Sequence, residues 1–485
     1  MAGTPEQSRE ARMQHLSALE AAGINPFPQE TPLITAPNSE ITKRFPELEG
    51  QTVGIVGRIT GMRQHGKLVF YDVTDHNEGK MQVLVAKTGE EDSRFDLVKG
   101  NYDEGDFVHA EGVLGKTNNG EITVRTKADE FTMLAKALLP PPRGEISQEV
   151  ARRQRYMELY GRREARERFR MRSEMVEAMR QTFLARGFTE VETPVLDNTY
   201  GGANARPFTT HHNALDQEMF MKISPELYLK RLVAGNMGPV FEFSRNFRNE
   251  GIDATHNPEF SMMEAYEPYG DYNEMMRMTE SMFEKIALKL HGTTRVQFGD
   301  HVIDFKAPWK RLTIYGGLEE TYHIDPQAIS DNELRKLAKK HGVKEGRRGD
   351  MLLGLFEEAY DGKLTQPTFV LDYPRETSPL TKKHRTNPDL VERFETYIGG
   401  MEVMNCYTEL NDPREQRARL EEEQRLRNAG DAEAMQMDDD FITSMEYGLP
   451  PMGGIGISID RMAMVLTNTP QIRDMILFPQ VRKTK

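Results

Sequence analysis

Residues 240–243 and 259–266 alternate bulky with polar side chains, and a polar segment carrying Arg245, Arg248, Glu250 and Asp253 lies between them. Period-two alternation is the signature of strands. Two such runs around a polar loop predict a hairpin, and the rest of the chain must be built around it. Strand residues two apart share a face, so Arg248 and Glu250 are expected side by side. A guanidinium fork suits a phosphate. A carboxylate two residues on can accept a hydrogen bond from an exocyclic amine. Phe260 offers a flat ring for a base to stack on. Phosphate, amine and base together describe ATP.

An isolated R-x-E would read as an ion-paired surface hairpin. Here the string is longer and more specific: FRNEGIDATHNPEFSMMEAY. It resembles motif 2 of the class II aminoacyl-tRNA synthetases, most closely that of the lysyl-tRNA synthetases, bacterial type. GFTEVETPVLDN, with Pro194, resembles motif 1, and GGIGISIDRMAMVLT, with Arg461 on the helix after a glycine-rich strand, resembles motif 3. The three occur in order, and the likeness runs from residue 51 to ILFP at Ile476.

The chain has 485 residues, enough for two or three domains. No apolar run reaches the roughly 18 residues of a membrane span, and there is no signal-peptide core, so a soluble, cytoplasmic protein is expected. One cysteine, Cys406, excludes an internal disulfide and a cysteine-based zinc cluster. A net charge of −13 argues against indiscriminate nucleic-acid binding, though not against a local basic face.

Thr4, Pro5 and Gln7 predict a helix start and Gly23, Pro26 and Pro28 its end. Arg9, Arg12 and His15 read as a solvated face of that helix. Residues 28–50 read as linker. From 51 to 136 the period is two, giving five short strands in about 85 residues, which fits an OB-type barrel. Eleven basic against fourteen acidic side chains give this segment no electrostatic bias towards nucleic acid. The resemblance supplies that reading: it implies an anticodon-binding barrel in which Phe70 stacks on a uridine while Gln82 and Glu121 read base edges.

Residues 139–144 are proline-rich and read as a stiff hinge. Residues 148–186 read as helical, with glutamate and arginine three or four apart forming self-compensating pairs. His211 and His212 point apart on a strand and complete no metal site. Ser330 and Glu333 form a capping box for a helix through Lys340, and a second helix covers 351–360. The resulting plan is α+β and multidomain: an N-terminal helix and linker at 1–50, an OB-type barrel at 51–140, a hinge at 141–160, and an antiparallel class II sheet flanked by helices at 161–485, with a helical insertion at about 318–365.

Glu395 and Glu402 are acids in bulky strands and need cations; ATP brings Mg²⁺, which binds through one or two carboxylates plus phosphates. About three ions with ATP are what the resemblance implies. It also implies that Arg248 and Arg461 are catalytic. It places Arg248, Glu250, His256, Asn257, Phe260, Glu395, Glu402 and Arg461 around ATP. Gly202, Glu226, Glu264, Tyr266, Asn405, Tyr407 and Glu409 fall around L-lysine, with either Glu226 or Glu409 at either end of it. Motif 1 implies a homodimer. The activity implied is that of a lysine–tRNA ligase, which joins lysine to AMP and then to the 3′ end of tRNA(Lys).

Thr255 stands where bacterial relatives often carry arginine, which removes one contact expected for the γ-phosphate, and Tyr407 replaces a common phenylalanine. Two alternatives stay open. One is an aspartyl- or asparaginyl-type relative, against which the acids Glu226, Glu264 and Glu409 argue. The other is a catalytically silent RNA-binding paralogue. No P-loop string and no class I signature is present.

Overall fold

A computed structural model describes residues 5–482 except 90, 143 and 432, so Thr4 of the expected helix cap and Arg143 of the hinge lie outside the described residues. The chain forms two compact units, Met1–Ile146 and Ser147–Lys485.

The first unit is the barrel. Its strands are Thr52–His65, Leu68–Thr74, Lys80–Ala86, Phe107–Lys116, Ile122–Thr126 and Phe131–Ala135, one more than the sequence pattern suggested. Pairing of the first strand with both the second and the fourth closes the sheet. Alternate residues fill the interior, Val53, Ile55, Val69, Tyr71, Val83, Val85 and Phe131 among them. The expected linker at 28–50 is partly ordered: helices Asn38–Lys43 and Phe45–Leu48 send Ile41, Phe45 and Leu48 into the same core. Arg12 corrects the solvated-face reading of the helix Pro5–Ala21. It is buried, and its guanidinium donates to the carbonyls of Ala137 (2.9 Å) and Glu104 (2.8 Å), tying helix to barrel.

The second unit is built on one eight-stranded sheet. Its order is Lys310–Thr313, Thr368–Pro374, Leu390–Ile398, Met401–Thr408, Met452–Ser458, Glu259–Pro268, Val240–Phe247 and Thr189–Glu190. The six central strands are antiparallel, and only the outermost pair at each edge is parallel. Helices Arg163–Ala185, Tyr272–His291 and Ile459–Leu466 share a core with one face, which presents Phe241, Met263, Ala265, Phe394, Met404, Cys406, Ile455 and Ile457.

Period two then dictates the opposite face. Glu264 and Tyr266, Asn405 and Tyr407, Gly454 and Gly456, Arg393 and Glu395 all fall there. The residues that broke the apolar pattern of these strands therefore share one surface. Residues 148–186 form three helices, Gln148–Arg153, Arg155–Gly161 and Arg163–Ala185. Ile314–Tyr322, Asp331–Lys340 and Arg348–Tyr360 pack around their own small core of Leu318, Leu334, Leu352 and Phe356, and the Ser330–Glu333 capping box is present.

Candidate active site

The polar face of the sheet is the floor of a cleft of about 360 Å³. All fifteen catalytic-unit residues singled out from the sequence line it: Gly202, Glu226, Arg248, Glu250, His256, Asn257, Phe260, Glu264, Tyr266, Glu395, Glu402, Asn405, Tyr407, Glu409 and Arg461. They come from five separate segments of the chain, around 202, 226, 248–266, 395–409 and 461, so the fold brings them together.

At one end stand the arginines. The expected strand pairing of Arg248 with Glu250 is not what forms. The strand stops at Phe247, and the Glu250 N–H donates to the Arg248 carbonyl at 2.9 Å in a tight turn. Both side chains still reach the cleft. The Arg248 guanidinium lies 5.1 Å from the Phe260 ring centre, and its buried Nε has no hydrogen-bond partner among the described residues. A buried guanidinium N–H without an acceptor is costly, so an anionic oxygen is the ligand it fits.

Arg461 sits in the first turn of its helix. It donates to the Glu402 carbonyl (2.6 Å), contacts His256 Nε2 (3.0 Å) and stands 3.6 Å from the Glu402 carboxylate. His256 is oriented by Asp253, whose carboxylate meets Nδ1 at 2.8 Å. Burial pushes Asp253 up, but N–H donors from Thr255 and His256 outweigh it and hold the acid below its ordinary range. Behind the cleft, the fully buried Asp460 accepts from Arg172 (2.7 Å) and from the Ser261 N–H (2.8 Å), locking the helix of Arg461 to the hairpin.

Glu395 and Glu402 rise from neighbouring strands. Glu395 accepts from Arg393 (2.5 Å) and from Tyr397 (2.9 Å). Burial, with the charge of Glu395 added, pushes Glu402 up to about 7. Two crowded acids of this kind are relieved by a cation, and the pair fits a hard divalent ion shared with phosphates. Among the described residues no cluster of three or more His, Cys, Asp or Glu side chains could hold a metal by itself.

At the other end are the three remaining acids. Glu226 opens the helix Glu226–Ala234, Glu264 lies on the strand Glu259–Pro268 and Glu409 directly follows the central strand Met401–Thr408, and all three are buried. Ser224 Oγ donates to Glu264 (3.0 Å), as does the Tyr266 hydroxyl (3.3 Å). Burial, then the charge of Glu226, pushes Glu264 up to about 8. Burial likewise takes Glu409 to about 8, against the pull of Lys230.

Glycine makes the space. A Cβ on Gly454 would come within 2.1 Å of Glu409 Oε1 and 2.5 Å of the Tyr266 ring. Gly202 has φ +81°, and a Cβ there would press on Ser224 and Glu226 at 3.0 Å.

Two residues of this face were not foreseen. Lys230, fully buried, pairs with both Glu226 and Glu409 at 2.5 Å. Arg393 spans the cleft floor, donating to Asn405 Oδ1 (3.2 Å), Ser378 Oγ (2.9 Å) and Glu395. The signals existed: Lys230 is four residues after Glu226 on one helix, and Arg393 is two before Glu395 on one strand.

In the barrel, Gln82 pairs across the sheet with Asp72 and with Thr123. Thr123 Oγ1 donates to Gln82 Oε1 at 2.7 Å and is 3.1 Å from the Glu121 carbonyl. Phe70 lies two residues from Asp72 on the same strand, so it shares the face of Gln82.

Comparison with known proteins identifies the families of both units. Residues 147–482 match the model of class II tRNA synthetases (D, K and N), and residues 53–134 match the OB-fold nucleic acid binding domain. A lysine–tRNA ligase of Methanoculleus marisnigri is 44% identical over 97% of this chain and 94% of its own length. Those of Clostridium novyi (44%, covering 98% and 94%) and Porphyromonas gingivalis (43%, covering 98% and 85%) are similar.

Proposed function

This chain belongs to the class II tRNA synthetases and, within them, to the lysine–tRNA ligases, and from that premise we propose how its cleft divides the work. The enzyme joins lysine to tRNA using ATP. The aspartyl, asparaginyl and silent alternatives are disfavoured, since relatives spanning nearly the whole chain are lysine–tRNA ligases.

In the first step a carboxylate oxygen of lysine attacks the α-phosphorus of ATP in line; the bond to the bridging oxygen breaks and pyrophosphate leaves. Arg248 holds the α-phosphate and meets the charge that grows on it in the transition state. Glu250 accepts from the adenine amine, and Phe260 stacks on the base. His256, Asn257 and Arg461 hold the pyrophosphate end, where Thr255 offers no cation. Glu395 and Glu402 would hold Mg²⁺, about three ions in all with ATP, which supplies charge neutralisation on the phosphates. In the second step the terminal ribose hydroxyl of tRNA(Lys) attacks the adenylate carbonyl and AMP leaves. No side chain becomes covalently bonded; the residues position and neutralise.

One observation carries the specificity: three buried carboxylates, Glu226, Glu264 and Glu409, stand in the same cleft as Arg248. An isolated buried carboxylate costs several kcal/mol, and lysine brings two ammonium groups to three acids. Tyr266 and Tyr407 flank its alkyl stem, Asn405 lies near its carboxylate, and Gly202 lets it approach. ATP–pyrophosphate exchange over a panel of amino acids tests this. Lysine should be activated and norleucine, the neutral analogue, rejected strongly; equal use of norleucine would overturn the pocket.

The barrel, with Phe70, Gln82 and Glu121, reads the anticodon. We assign residues 1–50 to an N-terminal helix and linker, 51–140 to that domain, 141–160 to the hinge and 161–485 to catalysis, with a helical insertion at about 318–365. The enzyme works as a homodimer through motif 1, where Val195 and Leu196 are exposed. It works in the cytoplasm with the translation apparatus; no described helix is long and apolar enough to cross a membrane.

A further inference from the structure

Among the described residues, Lys230 is the one buried cation that is ion-paired with the proposed lysine pocket's acids. Its side chain is fully excluded from solvent, and its Nζ is 2.5 Å from Glu226 Oε1 and 2.5 Å from Glu409 Oε2. It also sits 5.8 Å from the centre of the Tyr266 ring. Burial works against its charge, but the two carboxylates outweigh that and keep it an ammonium.

Three acids stand here against one internal cation. Lysine brings two ammonium groups to them, while its own α-carboxylate lies on the Asn405 side. The geometry says how. Lys230 takes one oxygen of Glu226 and crowds one of Glu409, which leaves Glu226 Oε2 and Glu409 Oε1 for a ligand. Glu409 Oε1 points along Gly454, at the place where a Cβ would close the pocket. Glu409 Oε2, although ion-paired, receives no well-directed hydrogen bond among the described residues.

We propose that Lys230 is a specificity-determining positioning residue: a resident ammonium that fixes the rotamers of Glu226 and Glu409 and so presents one oxygen of each to the ammonium groups of a diamino acid. It touches no reacting atom and acts through the two glutamates. The groups that face this cluster are Glu226, Glu264, Glu409, Tyr266 and Tyr407. Without Lys230 the two glutamates lose their common partner and repel one another, and Glu409, which burial already pushes up, holds its proton more tightly, which makes the pocket less selective for cations. The inference rests on the reading of this pocket as the lysine site.

The test uses the full-length enzyme in ATP–pyrophosphate exchange. With Lys230→Met, KM for lysine at neutral pH should rise roughly 100-fold. KM for ATP should stay within about threefold, as expected of an effect confined to amino acid binding. The preference for lysine over norleucine should fall by a similar factor, and the pH at which KM for lysine is lowest should move up by about one unit. A packing defect would raise both KM values and leave the pH profile in place.

Unchanged selectivity and pH profile in a folded Lys230→Met enzyme would overturn the inference. If that variant does not fold, Lys230→Met is placed on Glu226→Gln, which removes one buried acid. In Glu226→Gln alone Lys230 still holds Glu409, so removing it from that background should cost a further loss of lysine selectivity of at least about tenfold; no further loss would overturn the inference. Failure of the pocket reading looks different: the parent enzyme itself would accept norleucine.

Discussion

At the scale of single residues the cleft is a set of unmet demands. Arg248 has a buried Nε with no acceptor among the described residues, and its guanidinium covers Phe260. Arg248→Ala should lower the exchange rate by about two decades or more while leaving the fold intact, because a charge-assisted contact to the reacting phosphate is lost; single-turnover adenylate formation measures it. Glu264 and Glu409 have the opposite problem, too little cation. Their ordinary value of 4.5 rises to about 8 in the fold. The folded protein therefore holds more protons than the unfolded chain across that window. Stability is greatest below about 4.5 and falls as pH rises towards about 8 for these two groups. Lysine supplies the missing charge, so the rise in Tm that it produces should be larger at pH 8 than at pH 6; calorimetry with and without lysine reads this, and Glu264→Gln should flatten the difference. The same variant should raise KM for lysine far more than that for ATP.

At the scale of elements, the side chains on the floor of the cleft are placed by a strand period. Met263 and Ala265 point to the core, so Glu264 and Tyr266 point to the cleft; Met404 and Cys406 do the same for Asn405 and Tyr407. This part was legible in the sequence, because an acid inside a bulky strand declares its face. Arg248 and Glu250 were legible as neighbours that line one cleft but not in their geometry, since local alternation says nothing of where a strand ends. Lys230 was only half legible: its two partners are 4 and 179 residues away, the first gives a helical spacing signal, and only the second, made by tertiary packing, distinguishes it from an ordinary helical ion pair. Arg12 was misread likewise, because its acceptors are backbone carbonyls that carry no sequence signal. In the barrel, Phe70 shares its face with Gln82 and makes an edge contact with His65 at 6.2 Å. Phe70→Ala should weaken tRNA charging by about 1–3 kcal/mol, the worth of one stacked base. It should leave tRNA-free exchange unchanged; a parallel fall in both rates would count against anticodon reading.

At the scale of the whole molecule, two compact units divide the chain at Ile146 and Ser147, one carrying the barrel face and the other the cleft. The division makes a testable separation: the catalytic unit holds every residue assigned to adenylation, so barrel substitutions should alter tRNA use alone. Val195 and Leu196 are exposed, and in the proposed homodimer charged residues there should shift the enzyme towards monomer in analytical ultracentrifugation. Within the catalytic unit, the single cysteine has a bearing of its own. Cys406 lies on a central strand between Asn405 and Tyr407, its side chain turned into the core and only 1% exposed. Burial pushes its thiol well above the usual range, so little of it is the reactive thiolate. A thiol reagent can reach it only when the sheet opens. Its labelling rate is therefore a built-in clock for that opening, and ATP with lysine, clamping the opposite face of the same strand, should slow the clock.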